Sequence, residues 1–231
     1  MRTCIDLCSG TGSVSRALRV AFPDARIISY DIVPDCGASA WDDPNHEFRC
    51  ADVRGIDIDA LRAEVGCPAF VWASPPCTQY SLARSRAKTP RDLVGADSIV
   101  AACMNIIEGL APVLFALENP NTGLLPKRDV ISRWEPMRRV TTYCSYGFDY
   151  KKETAIWTNS PAKLPRCSRA DPCPASRAAG GMRHPSHAQK GPDSAPGQGT
   201  IARLHRVPEH LVLELAGAPL SFSPCDRSAL S

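Results

Sequence analysis

The sequence predicts an α/β fold in which strands and helices alternate around a parallel sheet. Three observations predict it. Over the first 160 residues, short apolar runs alternate with amphipathic stretches, the pattern of β-α units. A glycine turn, Ser9-Gly10-Thr11-Gly12, follows the first run. Residues able to do chemistry, Asp31, Asp52, Cys77 and Glu118, fall where later runs end, and open α/β sheets bind ligands at the carboxyl ends of their strands.

Thr3–Leu7 reads as a buried strand and Val14–Phe22 as the helix after it. Ala25–Tyr30 is a second strand leading to Asp31, and a weaker third near Phe48 leads to Asp52. Ile58–Val65 is a short helix stopped by Gly66, since glycine tolerates the conformation that ends a helix. Ala69–Ala73 is a strand opening onto Ser74-Pro75-Pro76-Cys77. Asp97–Leu110 is a long helix, and Val113–Leu117 a strand ending at Glu118-Asn119-Pro120. Val140–Tyr143 and Ala155–Thr158 read as two further strands joined through Gly147. Residues 160–200 break the pattern with seven Pro and five Gly and little apolar periodicity, the composition of loops and turns. Pro208–Ala216 is helical, with Gly217 after it. Three parts follow: a core over residues 1–159, an insert over 160–200, and a segment over 201–231 whose helix returns to the core.

With 44% hydrophobic and 22% charged residues in 231, the chain has the composition of a folded domain and enough apolar material for a core. The first twenty residues lack a secretory pattern, and the apolar stretch Ile99–Leu117 is interrupted by Asn105, Glu108 and Pro112. Both observations argue against a membrane protein. The 11 cysteines are odd in number and lack disulfide-type spacing, which predicts a reducing, cytoplasmic setting. The net charge of +3 selects no partner, yet Ser160–Arg206 carries eight Lys/Arg against two Asp. The insert is therefore basic and the remainder mildly acidic.

Glycines at a strand-to-helix turn let backbone approach a ligand, and a helix N-terminus favours negative charge. A carboxylate such as Asp31, roughly twenty residues on, can accept from a ribose diol. Asp52 is placed to accept from an adenine amino group. Both also suit plain loop or capping roles. In Ala73-Ser74-Pro75-Pro76-Cys77-Thr78-Gln79-Tyr80-Ser81 the prolines stiffen the exit from a strand and present a thiol at its carboxyl end. Such a thiol can be a nucleophile or simply a buried cysteine. Glu118 reaches the same edge.

These motifs together, Asp6-Leu7-Cys8-Ser9-Gly10-Thr11-Gly12, then Pro75-Pro76-Cys77, then Glu118-Asn119, resemble in order and spacing the cytosine-5 DNA methyltransferases. The likeness runs over residues 3–159. It continues at Tyr146-Gly147-Phe148-Asp149-Tyr150-Lys151-Lys152-Glu153-Thr154 and at Val207-Pro208 with Leu211, Leu215 and Ala216. The resemblance implies a Rossmann-like S-adenosylmethionine-dependent methyltransferase fold carrying a small basic Pro/Gly-rich insert. It implies that Cys77 attacks C6 of a cytosine flipped out of DNA, with Glu118 holding the ring and Lys152 stabilising charge. The cofactor-lining residues would be Asp6, Leu7, Gly10, Thr11, Gly12, Asp31, Ile32, Asp52, Val53 and Pro76. Ser81 and Asn119 would face the substrate. Two departures stand out: the family's paired arginines fall on Lys152 and Thr154, and the asparagine of its last motif falls on His205, beside Arg206. The same residues also fit this chemistry on RNA or a free nucleotide, or a weakly catalytic binding protein.

In the insert, Cys167, Cys173, His184 and His187 supply four zinc-type ligands, and a zinc ion could organise a segment too poor in apolar residues to build a core. Arg166, Arg169, Arg177, Arg183 and Lys190 are read as phosphate contacts. The expected partner is DNA, bound by a monomer.

Overall fold

The computed structural model describes residues 2–82, 84, 87–181, 183–185 and 205–217. Seven strands form one sheet: β1 (Thr3–Leu7), β2 (Arg26–Asp31), β3 (His46–Cys50), β4 (Phe70–Ala73), β5 (Leu114–Pro120), β6 (Arg138–Thr142) and β7 (Glu153–Thr158), in the order β3-β2-β1-β4-β5-β7-β6. The first five are parallel, whereas β7 runs antiparallel to both β5 and β6. The chain starts in the middle of the sheet, works outward to β3, then crosses to the other side of β1 to lay down β4. The carboxyl ends of β1 and β4 therefore diverge at a topological switch point, where open α/β sheets form a crevice.

Strand alternation divides the core into two apolar layers. On one face Ile5, Leu7, Val71, Phe115, Leu117 and Trp157 pack with α2 (Ile58–Val65) and α3 (Leu93–Leu110). On the other, Cys4, Ile27, Trp72, Ala116 and Ile156 meet α1 (Ser13–Ala21) and the last described helix. Helix α3 has a mean hydropathy of 1.5 over its 18 residues, so by length and composition alone it is apolar enough to cross a membrane. Here Val100, Cys103, Met104 and Ile107 make it a core helix.

Helix α3 begins at Leu93, four residues before the sequence reading placed it, because the Asp92 side chain caps it by accepting from Gly95 N–H at 2.8 Å. Strand β5 also runs further than expected. Glu118, Asn119 and Pro120 pair with Ile156, Ala155 and Thr154 of β7, so Glu118 lies within a strand rather than on a loop after one. Two 3-10 segments, Leu125–Lys127 and Asp129–Met137, connect β5 to β6. The described part of the insert contains only the short helix α4 (Pro174–Ala178).

The last helix, α5 (Glu209–Ala216), returns to the start of the chain, with Leu211, Val212 and Leu215 packed beside Val14, Ala17 and Leu18 of α1. Eight residues are too few for a stable isolated helix, so docking holds it. Each buried leucine or valine among them contributes about 1.5–3 kcal/mol. The Val207 N–H donates to Ser13 Oγ at 3.0 Å, and Ser160 Oγ donates to the Leu215 carbonyl at 3.0 Å.

Candidate active site

The carboxyl ends of β1, β2, β4 and β5 open into one cleft of about 250 Å³, whose walls include Asp6, Gly10, Thr11, Asp31, Pro76, Cys77, Glu118, Lys152 and His205. A smaller hollow of about 80 Å³, lined by Ile32, Asp52, Val53 and Arg54, shares Cys8, Asp31 and Pro76 with it. A third, of about 90 Å³, adjoins Cys77 and is lined by Ser81, Asn119 and Thr122. Cys77 thus lies between the cofactor-type cleft and a separate opening.

The glycine turn is held from β2. Asp31 accepts from Gly10 N–H at 2.8 Å through one oxygen and from Val33 N–H at 2.9 Å through the other. Gly10 has φ +44°, and a Cβ there would meet nothing nearer than the Cys8 carbonyl at 4.0 Å, leaving open space above the turn. Gly12 is glycine for another reason: it caps α1 at φ +69°, and a Cβ would come within 2.9 Å of Ala38 Cα. It packs against protein and does not line the cleft. Leu7 is a second correction. Alternation turns it into the α2/α3 core layer, while its neighbour Asp6 faces the cleft side.

Asp6 is fully buried, and burial pushes its carboxyl up to about 7, with the Ser15 hydrogen bonds opposing. Ser15 Oγ donates to Asp6 Oδ2 at 2.6 Å. Asp6 Oδ1 and Ser9 Oγ are buried without hydrogen-bond partners among the described residues. A cleft with open space over a glycine, unpartnered polar atoms in its wall and carboxylates at the ends of β2 and β3 suits a polar, nucleoside-bearing ligand. Asp52 also caps the 3-10 turn after it and pairs with Arg54.

The thiol and the acid share the main cleft. The Ser74–Cys77 loop is anchored by Tyr80, whose N–H donates to the Cys77 carbonyl at 3.0 Å. The fully buried Tyr80 donates its hydroxyl to Asp97 at 2.8 Å. Asn119 ties this loop to β5: it is fully buried and its amide donates to the Pro75 carbonyl at 2.9 Å. That bond braces the loop from behind, while Asn119 Oδ1 has no hydrogen-bond partner among the described residues and the residue lines the hollow beside Cys77 together with Ser81. Glu118 is 6% exposed. Its Oε1 accepts from Tyr143 Oη at 2.9 Å and lies 3.4 Å from Lys152 Nζ, which also sits 4.4 Å from the Tyr143 ring centroid. Burial pushes the Cys77 thiol up, Glu118 pushes it the same way, and Lys152 opposes them. His205 is pushed down by burial and by Lys152.

Sequence reasoning missed Tyr143. A tyrosine at a strand end carries no signal of its own, and only the antiparallel return of β6 and β7 brings it to Glu118. Thr154, at the second arginine position of the resemblance, is fully buried in β7. Arg166 pairs with Glu153 at 3.0 Å and Arg177 with Asp171 at 3.3 Å, so these two guanidinium groups already have carboxylate partners. Arg169 and Arg183 are exposed. Of the four expected metal ligands, Cys167, Cys173 and His184 cluster together, and the fourth group beside them is Cys144, from the turn after β6. His187 and Lys190 lie outside the described residues.

The strand order, the antiparallel β7 and the cleft across the switch point define a Rossmann-like methyltransferase fold. A DNA modification methyltransferase assignment is carried by a solved prophage-encoded protein of E. coli that aligns with a TM-score of 0.53 and 15% identity, over 74% of this chain and 54% of that one. The S. pombe Dnmt2 methyltransferase aligns with a TM-score of 0.45 and 15% identity, over 68% and 48%. The chain thus spans about half the length of these solved structures.

The chain belongs to the C-5 cytosine-specific DNA methylase family, whose sequence model matches residues 2–132. It is 32% identical over 161 residues to the "Probable DNA (cytosine-5)-methyltransferase" of Frog virus 3 (isolate Goorha), covering 63% of this chain and 72% of that protein.

Proposed function

We propose that this chain methylates C5 of cytosine in DNA through a covalent bond between Cys77 and C6 of the base. The observation that carries the reading is the convergence of Cys77, Glu118 and Lys152 on one cleft whose other end suits a nucleoside. When bound, S-adenosylmethionine supplies a methyl group on a positively charged sulfur. Asp31 and Ile32 would hold its ribose, Asp52 and Val53 its adenine, and Asp6, Gly10, Thr11 and Pro76 the remainder.

Cytosine C5 is a poor nucleophile until a group adds at C6. Cys77 gives up its thiol proton to water and adds there as thiolate, and the electron pair moves onto C5 and the ring edge. Glu118 accepts from the amino group and shares a proton with N3 at that edge, neutralising the negative charge that develops there. Tyr143 and Lys152 brace the acid, and Lys152 balances its charge. C5 accepts the methyl group, then yields its proton to water as the Cys77–C6 bond breaks and its electron pair returns to sulfur, and the ring regains its aromaticity. The thiol is regenerated. A base inside a duplex must leave the stack to reach such a cleft. Ser81, in the hollow on the far side of Cys77, and exposed Arg169 and Arg183 would contact the DNA.

The chain acts as a monomer in the cytoplasm, a setting supported by an odd number of cysteines without disulfide-type spacing. A structural zinc ion held by Cys167, Cys173 and His184 belongs to the same proposal.

DNA containing 5-fluorocytosine tests the mechanism, because fluorine at C5 blocks release and should leave the protein covalently attached through Cys77. Duplex DNA, tRNA and dCMP assayed side by side for methyl transfer identify the substrate. Normal methylation by Cys77→Ser, or no trapping of the wild type, would overturn the proposal.

A further inference from the structure

We infer that Cys144, Cys167, Cys173 and His184 form a tetrahedral zinc site that staples the Pro/Gly-rich insert to the turn bearing Tyr143. The site rests on zinc binding by the insert and is independent of the methyl-transfer chemistry. The four ligand atoms all lie within 4.8 Å of one another. His184 Nε2 is 3.6 Å from Cys167 Sγ and 3.4 Å from Cys173 Sγ. Tetrahedral zinc, with Zn–S about 2.3 Å and Zn–N about 2.0–2.1 Å, sets a sulfur-to-nitrogen edge of about 3.5 Å. The two observed edges bracket that length, so the His184 ring already stands at a zinc-like distance from two of the sulfurs.

The surroundings suit thiolates. Cys173 N–H donates to Cys167 Sγ at 3.3 Å, and Ser176 N–H donates to Cys173 Sγ at 3.4 Å, the kind of outer support that orients metal ligands. Packing is a weaker explanation of the cluster. Its apolar content is the three buried cysteines with Ala175 against them, too little surface to order a segment rich in Pro and Gly. Disulfide formation also accounts poorly for it, since three thiols leave one over and none of them is paired.

Cys144 changes what the metal does. The other three ligands belong to the insert, whereas Cys144 follows Tyr143, whose hydroxyl holds Glu118. The insert is tied down at the same place by Cys167 N–H donating to Thr142 Oγ1 at 2.8 Å. The ion therefore joins the basic insert to the wall that positions the acid, and is part of the framework without entering the chemistry.

Metal analysis of the purified full chain tests this without any methylation assay. One zinc per chain is expected, retained by His187→Ala and bound more than about tenfold more weakly by Cys144→Ser. Cobalt replacing zinc in the wild type should give a tetrahedral spectrum with sulfur charge-transfer bands from three thiolates. Those bands should lose about one third of their intensity in Cys144→Ser, since soft thiolates produce them. If that variant fails to fold, the wild-type spectrum decides alone: three thiolates support the site, and two or none overturn it. Absence of stoichiometric zinc, or loss of zinc by His187→Ala with retention by Cys144→Ser, also overturns it. A chain that binds zinc but methylates nothing keeps this site and loses the methyl-transfer reading.

Discussion

Replacing Tyr143 with phenylalanine removes one hydroxyl and keeps the ring. That hydroxyl is fully buried and donates to Glu118 Oε1 at 2.9 Å. Burial and the neighbouring carboxylate push its ionisation well above the ordinary phenol range, so it remains a donor at any working pH. A hydrogen bond to a charged group contributes about 1.5–3 kcal/mol. At about 1.36 kcal/mol per tenfold in rate, its loss from the transition state slows the chemical step about ten- to hundredfold. Lys152, 3.4 Å from the same oxygen, stays in place and keeps the loss toward the lower end. The assay is single-turnover transfer of labelled methyl to duplex DNA, run beside the rate of 5-fluorocytosine trapping. Both rates should fall by the same factor while KM for DNA stays within about twofold, because Tyr143 acts on the acid and not on the DNA backbone. A folded Tyr143→Phe protein with a rate within about twofold of wild type would refute the idea that this hydroxyl positions Glu118.

Asn119→Ala leaves the Pro75 carbonyl without its buried donor, at a cost of about 1–3 kcal/mol. Thermal unfolding should fall by about 2–4 °C per kcal/mol for a chain of this size, and an unchanged Tm would sink the bracing role. The raised Cys77 thiol predicts that its alkylation by iodoacetamide, followed by peptide mass, accelerates as pH rises and has not levelled off at neutrality. Lys152→Met removes the opposing charge and should push that limb to still higher pH; a plateau reached near neutrality in the wild type would contradict the electrostatics.

Elements were legible where local chemistry and tertiary context agree. Thr3–Leu7 reads as a strand because Cys4, Ile5 and Leu7 are apolar and bounded by the glycine turn, and all five of its residues are buried, as in a strand covered on both faces. Ile58–Val65 is bracketed by Asp57, whose side chain accepts from Asp59 and Ala60 N–H, and by Gly66 at φ +65°. The early start of α3 was obscured by Gly95 in its first turn, a residue with poor helix propensity. Cys77 and Glu118 were visible because each closes an apolar run. Their supports were not. Tyr143 and Cys144 reach the acid and the insert only through the antiparallel return of β6 and β7, a long-range pairing that local pattern does not encode. The bracing bond from Asn119 to the Pro75 carbonyl was hidden too, because sequence gives its position at the site but not the partner its amide finds.

Glu118 belongs to the sheet itself, paired through its own backbone to Ile156. An acid anchored in a ladder of main-chain bonds has little freedom to follow an incoming nucleotide, so adjustment falls to the nucleotide and to the loops around it. Changes in what this protein recognises should therefore accumulate beyond Cys77 and in the basic insert, while the reacting geometry remains that of the scaffold.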